Sequence, residues 1–376
     1  MSGSTDKAFT YNIDVLASCN LSCPSCPVGN MPGLPGPASR MSPEAFEEIL
    51  LKIKRETPGT TQIGLYNWAE PILHPELPKL LAIARKHQMP VALSCNFNSS
   101  RNLEAILREE PMSFRVSVSG FHQKTYERTH QKGDIEKVKT HLRELRETMD
   151  RLKSKTQVQV AYHCYIDNLG DDYTQMRAFC AELGFFFLPM WAYFMPIEKL
   201  LTVFEGKDLS EQDQGVLRLL AVTPHEARDV ARLRKSPDCT LRSHQTAINS
   251  DGSVALCCGV YDRKHNIAPK FVDATFDELQ AAKYQHALCR RCMHNGIHDL
   301  VTYTDFDAWN RIASAKILPQ KLPKELRRLG MFYSLRRKVS KVLGHSTWDR
   351  MVHVARLVTF RKRRRSVRPA EQPPVQ

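Results

Sequence analysis

The chain has 376 residues, of which 42% are hydrophobic, so it can bury a sizeable core, and this excludes a wholly disordered protein. No run approaches the roughly 18 uncharged apolar residues of a membrane-spanning helix, and residues 1–7 lack the apolar stretch of a secretory signal. The eleven cysteines, an odd number, favour metal binding in a reducing compartment over a paired disulfide framework. These features predict a cytoplasmic protein.

The formal net charge of +14 is concentrated near the C-terminus. Residues 321–368 hold 16 Lys and Arg side chains against only Glu325 and Asp349, and the rest of the chain is electrically balanced. A substrate pocket outside this basic segment therefore need not be built for nucleic acid.

The first half of the chain alternates strand-like and helix-like segments. Short runs rich in Val, Ile, Phe or Tyr predict strands at 11–17, 62–66, 91–94, 114–118, 157–165 and 185–188. Helical patterns lie between them, and the first opens with Ser42 as N-cap and Pro43 at the first helical position. The alternation predicts a parallel sheet with crossover helices. Six units would make an open, partial (β/α)6 barrel over residues 9–196, although a doubly wound sheet gives the same pattern.

The second half of the chain divides by composition into four further parts. Residues 197–235 read as a helical connector, and residues 236–300 as a small cysteine-rich module of a β-hairpin and helices. The hairpin is expected to turn at Asp251-Gly252, because Asp-Gly is a strong turn signal. Residues 301–330 predict a C-terminal helix, and residues 331–376 a basic, amphipathic, partly disordered helical tail.

Cys19, Cys23 and Cys26 lie in a loop directly after the first predicted strand. In a parallel sheet this loop is at the carboxyl edge, where open sheets and barrels bind ligands. Three thiolates at this spacing favour an iron–sulfur cluster or zinc. Because a cluster normally takes four cysteines, one metal position would be open to substrate or cofactor. The alternative is a zinc site whose fourth ligand lies elsewhere.

This Cys-x3-Cys-x2-Cys loop resembles the signature of the radical S-adenosylmethionine (SAM) superfamily. The resemblance implies that Cys19, Cys23 and Cys26 bind a [4Fe–4S] cluster, whose fourth iron is chelated by the amino and carboxylate groups of SAM. One electron from the cluster then cleaves SAM to methionine and a 5′-deoxyadenosyl radical, which abstracts a hydrogen atom from the substrate. A reducing partner such as flavodoxin or ferredoxin is implied as well.

Other positions over residues 11–196 resemble the family pattern less closely. Glu70 precedes a proline, as in the family's Gly-Gly-Glu-Pro motif, and this implies that Glu70 holds the SAM amino group. Trp68 and an alanine replace the two glycines, and we expect Trp68 to shape the pocket. Ser117 on the fourth strand is the candidate contact for the SAM ribose. Asn96 stands at the family's Thr-Asn-Gly position after the third strand.

A second group of cysteines follows in residues 236–300: Cys239, Cys257, Cys258, Cys289 and Cys292. Four thiolates brought together by a hairpin and a Cys-x2-Cys loop can hold zinc or an iron–sulfur cluster, and spacing does not separate the two. The layout resembles the auxiliary-cluster module of SPASM/twitch radical SAM enzymes. The resemblance implies one auxiliary [4Fe–4S] cluster, with Cys239, Cys257, Cys289 and Cys292 as ligands and Cys258 as the spare.

The resemblance implies oxidation or epimerisation of a polar small molecule, such as a carbohydrate or a lipid-linked sugar. In oxidation the substrate radical loses an electron to the auxiliary cluster. In epimerisation a protein thiol returns a hydrogen atom, and Cys95 and Cys164, at or near the ends of the third and fifth strands, are the candidate donors. The alternative for each of these thiols is a structural role in the core.

Two other functions stay open from the sequence. The first is peptide or protein maturation by an enzyme of the SPASM type, although the short segment before Tyr11 leaves no room there for a leader-binding domain. The second is a zinc-stapled protein whose basic tail binds nucleic acid by charge. Within that tail, residues 348–360 have the composition of an interfacial amphipathic helix attracted to an anionic membrane surface.

Overall fold

The computed structural model of the protein describes residues 9–32, 39–57, 59–233, 236–302 and 306–317. The predicted basic tail, with its candidate membrane helix, lies outside the described residues. In the part of the chain that the structure describes, no helix has the length and apolarity needed to cross a bilayer.

One sheet of eight strands forms the centre of the molecule, in the order β6-β5-β4-β3-β2-β1-β7-β8. Its first six strands are all parallel, and each contains or overlaps one of the six predicted strands. This confirms the expected parallel sheet. The strands are β1 Phe9–Ile13, β2 Thr60–Leu65, β3 Val91–Cys95, β4 Ser113–Val118, β5 Gln157–Cys164, β6 Phe186–Trp191, β7 Gln245–Ile248 and β8 Val254–Ala255.

Helices connect the strands of the parallel sheet, and further helices form the connector and the cysteine-rich module. In the first half they are α1 Pro27–Asn30, α2 Pro43–Glu56, α3 Leu77–Lys86, α4 Leu103–Arg108, α5 Gln123–Tyr126, α6 Ile135–Leu152 and α7 Asp171–Glu182. The second half contains α8 Ile197–Phe204, α9 Glu211–Leu217, α10 Pro224–Leu233, α11 Thr240–Ser243, α12 Phe276–Gln285, α13 Ala287–Asn295, α14 Ile297–Val301 and α15 Phe306–Ile317. The predicted helical connector thus contains α8, α9 and α10.

The start of α2 follows the sequence signal closely. The Ser42 hydroxyl accepts a hydrogen bond from the backbone N–H of Ala45 at 3.2 Å, and Pro43 occupies the first turn. Phe46 and Ile53 lie on the buried face of the helix. The cap and the apolar face therefore fix both where α2 begins and which side packs on the sheet.

The predicted hairpin extends the barrel sheet instead of forming a sheet of its own. Strand β7 pairs in parallel with β1, with Asn12 opposite Ala247, and β8 returns antiparallel to β7. Asp251 and Gly252 lie in the turn between them, as the sequence predicts, and Gly252 has a φ of +82°. The cysteine-rich module is thereby attached at the first strand, beside the three-cysteine loop.

Candidate active site

The loop after β1 holds Cys19, Cys23 and Cys26 in a compact turn. The Cys26 N–H donates to the Cys23 carbonyl at 3.0 Å, and the Gly29 N–H donates to the Cys26 carbonyl at 3.0 Å. A Cβ atom on Gly29 would lie 2.3 Å from the Cys23 carbonyl oxygen, so this close approach of backbone requires glycine. The turn brings the three sulfurs near enough to act on one another electrostatically.

These three thiols are costly to ionise without a cation. Burial raises the pKa of Cys19 to about 11 and that of Cys26 to about 12. Burial also raises the pKa of Cys23 well above its usual range, and the neighbouring sulfurs of Cys26 and Cys19 raise it further. Iron would supply the missing positive charge, because coordination deprotonates a thiol. Three soft, half-buried and mutually close sulfurs therefore suit an iron–sulfur cluster.

Glu70 lies behind this loop as a buried carboxylate, 2% exposed. Its two oxygens accept hydrogen bonds from the backbone N–H groups of Ile72, at 3.3 Å, and Asn96, at 2.6 Å. Burial outweighs these bonds and raises the pKa of Glu70 to about 8. Within the described part of the chain no cation acts on this carboxylate, and an ammonium group beside it would provide one.

Asn96 connects Glu70 to the cysteine loop. Its side-chain N–H2 donates to the Cys19 sulfur at 3.5 Å and to the Asn20 side-chain oxygen at 2.8 Å. Ser117 lies further along the sheet, on β4, where the hydrophobic core takes the alternate residues Val116 and Val118. Ser117 therefore belongs to the sheet face opposite the helices.

Asp14 is a site residue that sequence reasoning missed. Its carboxylate accepts hydrogen bonds from the backbone N–H of Trp68, at 3.1 and 3.2 Å, and from that of Ala69, at 3.2 Å. It is 6% exposed, and burial raises its pKa to about 6. Asp14 thus anchors the turn in which Trp68 and Ala69 replace two glycines. The sequence signal that could have found Asp14 was alternation. Asn12 and Asp14 alternate with apolar residues after the start of β1, which places both on the sheet face opposite the core.

Trp68 links this turn to the second cysteine module. Its indole N–H donates to the Val260 carbonyl at 3.3 Å, and its ring meets the Tyr261 ring edge-on with centroids 6.0 Å apart. On the other side of the loop, a Cβ atom on Gly259 would lie 2.7 Å from the Ile197 side chain at the start of α8. The loop after β8 is therefore held between Trp68 and α8.

The structure brings the second group of cysteines together from three elements. Cys239 caps α11, Cys257 and Cys258 follow β8, and Cys289 and Cys292 lie one turn apart on α13. Burial raises the pKa of Cys239 to about 11 and that of Cys258 to about 12. The pKa of Cys257 is raised by burial first, and then by the sulfurs of Cys258, Cys292 and Cys239. Among the described residues, no set of three His, Cys, Asp or Glu side chains is arranged to hold a single metal ion.

Two cations flank this second group. Lys283 is fully buried, and its ammonium donates to the Gln245 carbonyl at 2.7 Å and the Thr246 hydroxyl at 2.9 Å. Burial lowers the pKa of Lys283 to about 8, and the sulfurs of Cys257, Cys258 and Cys289 oppose this shift. Arg242 lies beside the same group, with a guanidinium nitrogen 3.9 Å from the Cys289 sulfur. The sequence offered no signal for either cation.

The candidate hydrogen donors Cys95 and Cys164 are both buried. The Cys95 sulfur lies 3.7 Å from the Arg115 carbonyl oxygen, and Cys95 belongs to the main hydrophobic core. Cys164 shares a face of β5 with Tyr162, whose ring contacts Tyr173 of α7 at 5.5 Å between centroids. Both thiols therefore lie on the helix-covered face of the sheet.

Comparison with known proteins identifies this arrangement. Residues 13–158 match the family model of the radical SAM superfamily. Among solved structures, anSMEcpe with bound AdoMet is similar, with a TM-score of 0.50 and 14% identity over 86% of this chain and 98% of that chain. Streptococcus suis SuiB bound to precursor peptide SuiA has a TM-score of 0.49 and 13% identity, over 76% of this chain and 66% of that chain. No curated protein matches the chain.

The family match and the fold agree with the geometry of the first site. The matched residues include the three-cysteine loop, Glu70 and Asn96. The resemblance to anSMEcpe, at this identity, is one of fold, and it agrees with a partial barrel. Residues 13–158 of this chain are therefore a radical SAM domain, and domains of this family use a [4Fe–4S] cluster and SAM.

Proposed function

We propose that this radical SAM enzyme oxidises a polar small molecule, such as a carbohydrate or a lipid-linked sugar. The observation that carries the proposal is the second group of cysteines, flanked by the buried cation of Lys283 and joined to the first site through Trp68. A second iron–sulfur cluster at this position would accept the electron that a substrate radical must lose to become an oxidised product.

In the first site, Cys19, Cys23 and Cys26 are the proposed ligands of the catalytic cluster. Once these residues held the cluster and SAM, the chemistry available there would be a 5′-deoxyadenosyl radical able to abstract hydrogen. We assign Glu70 to the SAM ammonium group, which would give the buried carboxylate its missing counter-charge. Asn96 orients Cys19 through the bond to its sulfur. Ser117 is the proposed contact of the SAM ribose.

In the second site, the proposed ligands are Cys239, Cys257, Cys289 and Cys292. A buried ammonium group needs a negative partner, because its desolvation is otherwise uncompensated. The sulfurs that attract Lys283 in this structure belong to Cys257, Cys258 and Cys289. Thiolates held by a metal cluster would supply that negative charge at neutral pH.

The sheet face opposite the helices is polar, and this supports the proposal of a polar substrate. On the face opposite the helices, the strand residues that alternate with the core are mostly hydrophilic: Asn12, Gln62, Ser94, Arg115, Ser117, Gln159 and His163. Hydroxyl-rich substrates are recognised through such side chains, because each buried polar group needs a partner.

Oxidation is favoured over epimerisation by the orientation of the two candidate donor thiols, Cys95 and Cys164. An epimerase returns a hydrogen atom from a thiol that faces the substrate. Cys95 and Cys164 pack on the helix side of the sheet, in the hydrophobic core. The thiols expected to serve as donors are thus turned from the polar face, and electron loss to a second cluster is the route that remains.

The test is an anaerobic assay of reconstituted protein with SAM and dithionite, which follows 5′-deoxyadenosine together with iron and sulfide. We expect about eight irons per chain, four for each cluster. Cys23→Ala should abolish 5′-deoxyadenosine formation, whereas the matched variant Cys180→Ala, in the buried face of α7, should retain it.

The product of a sugar panel then separates the two reactions. Nucleotide-linked and polyprenyl-linked sugars are incubated with the enzyme in deuterated water. Oxidation yields a product that has lost two hydrogen atoms and consumes SAM in step with product. A product of unchanged composition that carries one solvent deuterium would refute oxidation and establish epimerisation.

A further inference from the structure

Arg115 brings a positive charge to the inner face of the sheet, which is the face opposite the helices. The core residues Phe114 and Val116 alternate with it along β4, so Arg115 lies on the same face as Ser117. The six described strands β1 to β6 contain no Asp or Glu, and Arg115 is their only Lys or Arg. The parallel strands therefore present one cation and no fixed negative charge.

The guanidinium of Arg115 is available to a ligand. It is half-buried, and within the described part of the chain it forms no hydrogen bond or ion pair. Its neighbours across the ladder are Ser94 on β3 and Gln159 on β5, both uncharged. A guanidinium has five N–H donors in a planar fork that matches a carboxylate or a phosphate. Because partial burial of a cation is costly without a counter-charge, an anionic ligand suits this position.

The Arg115 side chain extends toward the carboxyl edge of the sheet. Its backbone is opposite Gln159, and His163 lies four residues further along β5. This offset is about 13 Å along the strand. The Arg115 cation nevertheless acts on His163, whose pKa is lowered first by burial and then by that cation. Coulomb interactions weaken with distance, so the guanidinium lies well above its own backbone, on the side of the ligand-binding edge.

His163 lies near the three-cysteine loop. Its ring is 6.2 Å from that of His130, measured between centroids. The next residue, Gln131, accepts a hydrogen bond through its carbonyl oxygen from the Ser22 backbone N–H at 3.1 Å. Ser22 directly precedes Cys23. A ligand held on the inner face at this height would therefore lie beside the first site.

The acids around the carboxyl edge already have other partners. Asp167, in the loop after β5, forms an ion pair with Arg128. The carboxylate of Asp14 accepts hydrogen bonds from two backbone N–H groups. Glu70 likewise accepts from two backbone N–H groups, and its proposed counter-charge is the SAM ammonium group. Among the described residues, none of these three carboxylates pairs with Arg115.

We propose that the substrate carries an oxyanion, either a carboxylate or a phosphate, and that Arg115 binds it on the inner face of the sheet. This inference rests on the proposed function, which it narrows from a polar small molecule to an acidic one, such as a sugar acid or a sugar phosphate. The guanidinium fork would hold two oxygens of the anion, and His163 would hydrogen-bond a neighbouring hydroxyl. An anion fixed at Arg115 orients the rest of the substrate toward the first site.

The first measurement is the binding of three sugars to the reconstituted, SAM-loaded enzyme, by calorimetry. The probes are glucose, glucuronate and glucose 6-phosphate, which share a ring and differ in their charged group. We expect one or both anionic probes to bind at least tenfold more tightly than glucose, because a bond between arginine and an oxyanion is charge-assisted. Tighter binding of glucuronate assigns a carboxylate, and tighter binding of glucose 6-phosphate assigns a phosphate.

Three variants and a second ligand assign this preference to one side chain. Arg115→Gln removes the charge and keeps a polar side chain, so it should bind the three sugars equally. Arg115→Lys restores a cation without the planar fork, and it should keep part of the preference. The matched control is Arg101→Gln, at an exposed arginine in the turn before α4, and it should keep the full preference. The affinity for SAM, measured by equilibrium dialysis, should be the same in Arg115→Gln and in the unaltered enzyme.

Equal affinity of the three sugars for the unaltered enzyme, or binding of none of them, would overturn this inference. A preference for the anionic probes that survives in Arg115→Gln would overturn it as well. A tenfold loss of SAM affinity in Arg115→Gln would assign this side chain to the SAM carboxylate instead of the substrate. These outcomes leave the oxidation proposal standing, since the products of the sugar panel in deuterated water decide it. Conversely, a product of unchanged composition there would refute oxidation and leave the difference in affinity between the three sugars in place.

Discussion

The indole N–H of Trp68 donates to the Val260 carbonyl oxygen at 3.3 Å, and this bond joins the radical SAM domain to the second cysteine module. Trp68 follows β2, and Val260 follows β8. The Trp68 ring also meets the Tyr261 ring edge-on, and the Asp14 carboxylate accepts a hydrogen bond from the Trp68 backbone N–H. A glycine at position 68 would form neither side-chain contact. The departure from the family's two glycines therefore has a structural consequence, which is a docked module.

Trp68→Ala should lower the free energy of unfolding by about 2–4 kcal/mol, because it removes a large packed ring and a hydrogen bond. Trp68→Phe keeps a ring against Tyr261 and should lose only about 1 kcal/mol, the worth of one hydrogen bond. Urea unfolding under anaerobic conditions measures both values. Phe186→Ala, at a ring that is 52% exposed, is the control and should change little. A Trp68→Ala protein as stable as the unaltered one would contradict the docking role.

His130 and His163 predict a loss of stability in mild acid. Burial lowers the pKa of His130 to about 3 and that of His163 to about 4, and the ring of His130 stacks on Tyr126 at 4.7 Å. Each folded-state pKa lies below the unfolded value of about 6.5, so the unfolded chain binds more protons between those values. The free energy of unfolding should therefore fall as pH drops below about 6.5, by up to about 1.4 kcal/mol per pH unit for each histidine.

The slope of the free energy of unfolding against pH tests this prediction better than the absolute stability does. His130→Gln removes one titrating group, so its curve between pH 7 and 5.5 should be flatter than that of the unaltered protein. His122→Gln, at a half-exposed side chain, is the matched control and should keep the slope. An identical slope in the His130→Gln protein would contradict the buried neutral state of this ring.

Local patterns predicted the parallel strands, because each buried strand has its own apolar residues and turn signals. Ser42 and Pro43 likewise mark the start of α2, because the N-cap hydrogen bond joins residues within one turn of the chain. The pairing of β7 with β1 had no such signal. It joins Asn12 to Ala247, residues far apart in the chain, and depends on which sheet edge is free in the folded barrel. Periodicity carries no information on that choice.

The same distinction applies to the sites. Cys19, Cys23 and Cys26 could be recognised as candidate ligands because their spacing in the sequence is local. Asp14 and Lys283 were not, since an isolated acid or lysine in sequence is most often exposed. Asp14 meets its partners 54 and 55 positions away, and Lys283 its partners 37 and 38 positions away. Burial by distant segments, not residue type, gives both of them their roles.

The iron content of two variants decides whether Cys257 or Cys258 is a ligand of the proposed second cluster. The Cys257 sulfur interacts with those of Cys239 and Cys292, on two other elements, whereas Cys258 interacts with that of Cys239. We therefore expect Cys257→Ala to lower iron from about eight to about four per chain, with loss of one cluster. Cys258→Ala should keep about eight. Iron and acid-labile sulfide of the two reconstituted variants decide the matter. The reverse result would give the ligand role to Cys258.

Lys283 should raise the reduction potential of the proposed second cluster. Reduction adds negative charge to the cluster, and a buried ammonium nearby stabilises the more negative state. Lys283→Met removes that charge, so the reduction equilibrium should fall at least tenfold, which is about 59 mV for one electron. The variant also leaves the Gln245 carbonyl and the Thr246 hydroxyl without their donor, at about 1–3 kcal/mol of stability.

A potentiometric EPR titration at pH 7 measures the shift. Lys139→Met is the matched control, because Lys139 on α6 is also buried but lies away from both cysteine groups. Its ammonium group pairs with Glu136 and lies over the Phe121 ring. Both variants should lose stability, yet only Lys283→Met should move the potential of the second cluster to a more negative value. Because the sulfurs that interact with Lys283 all belong to the second group, the signal of the first cluster should titrate unchanged in both proteins. Equal shifts in the two variants would mean that Lys283 acts only on folding, and the cationic setting of the second site would then have no redox consequence.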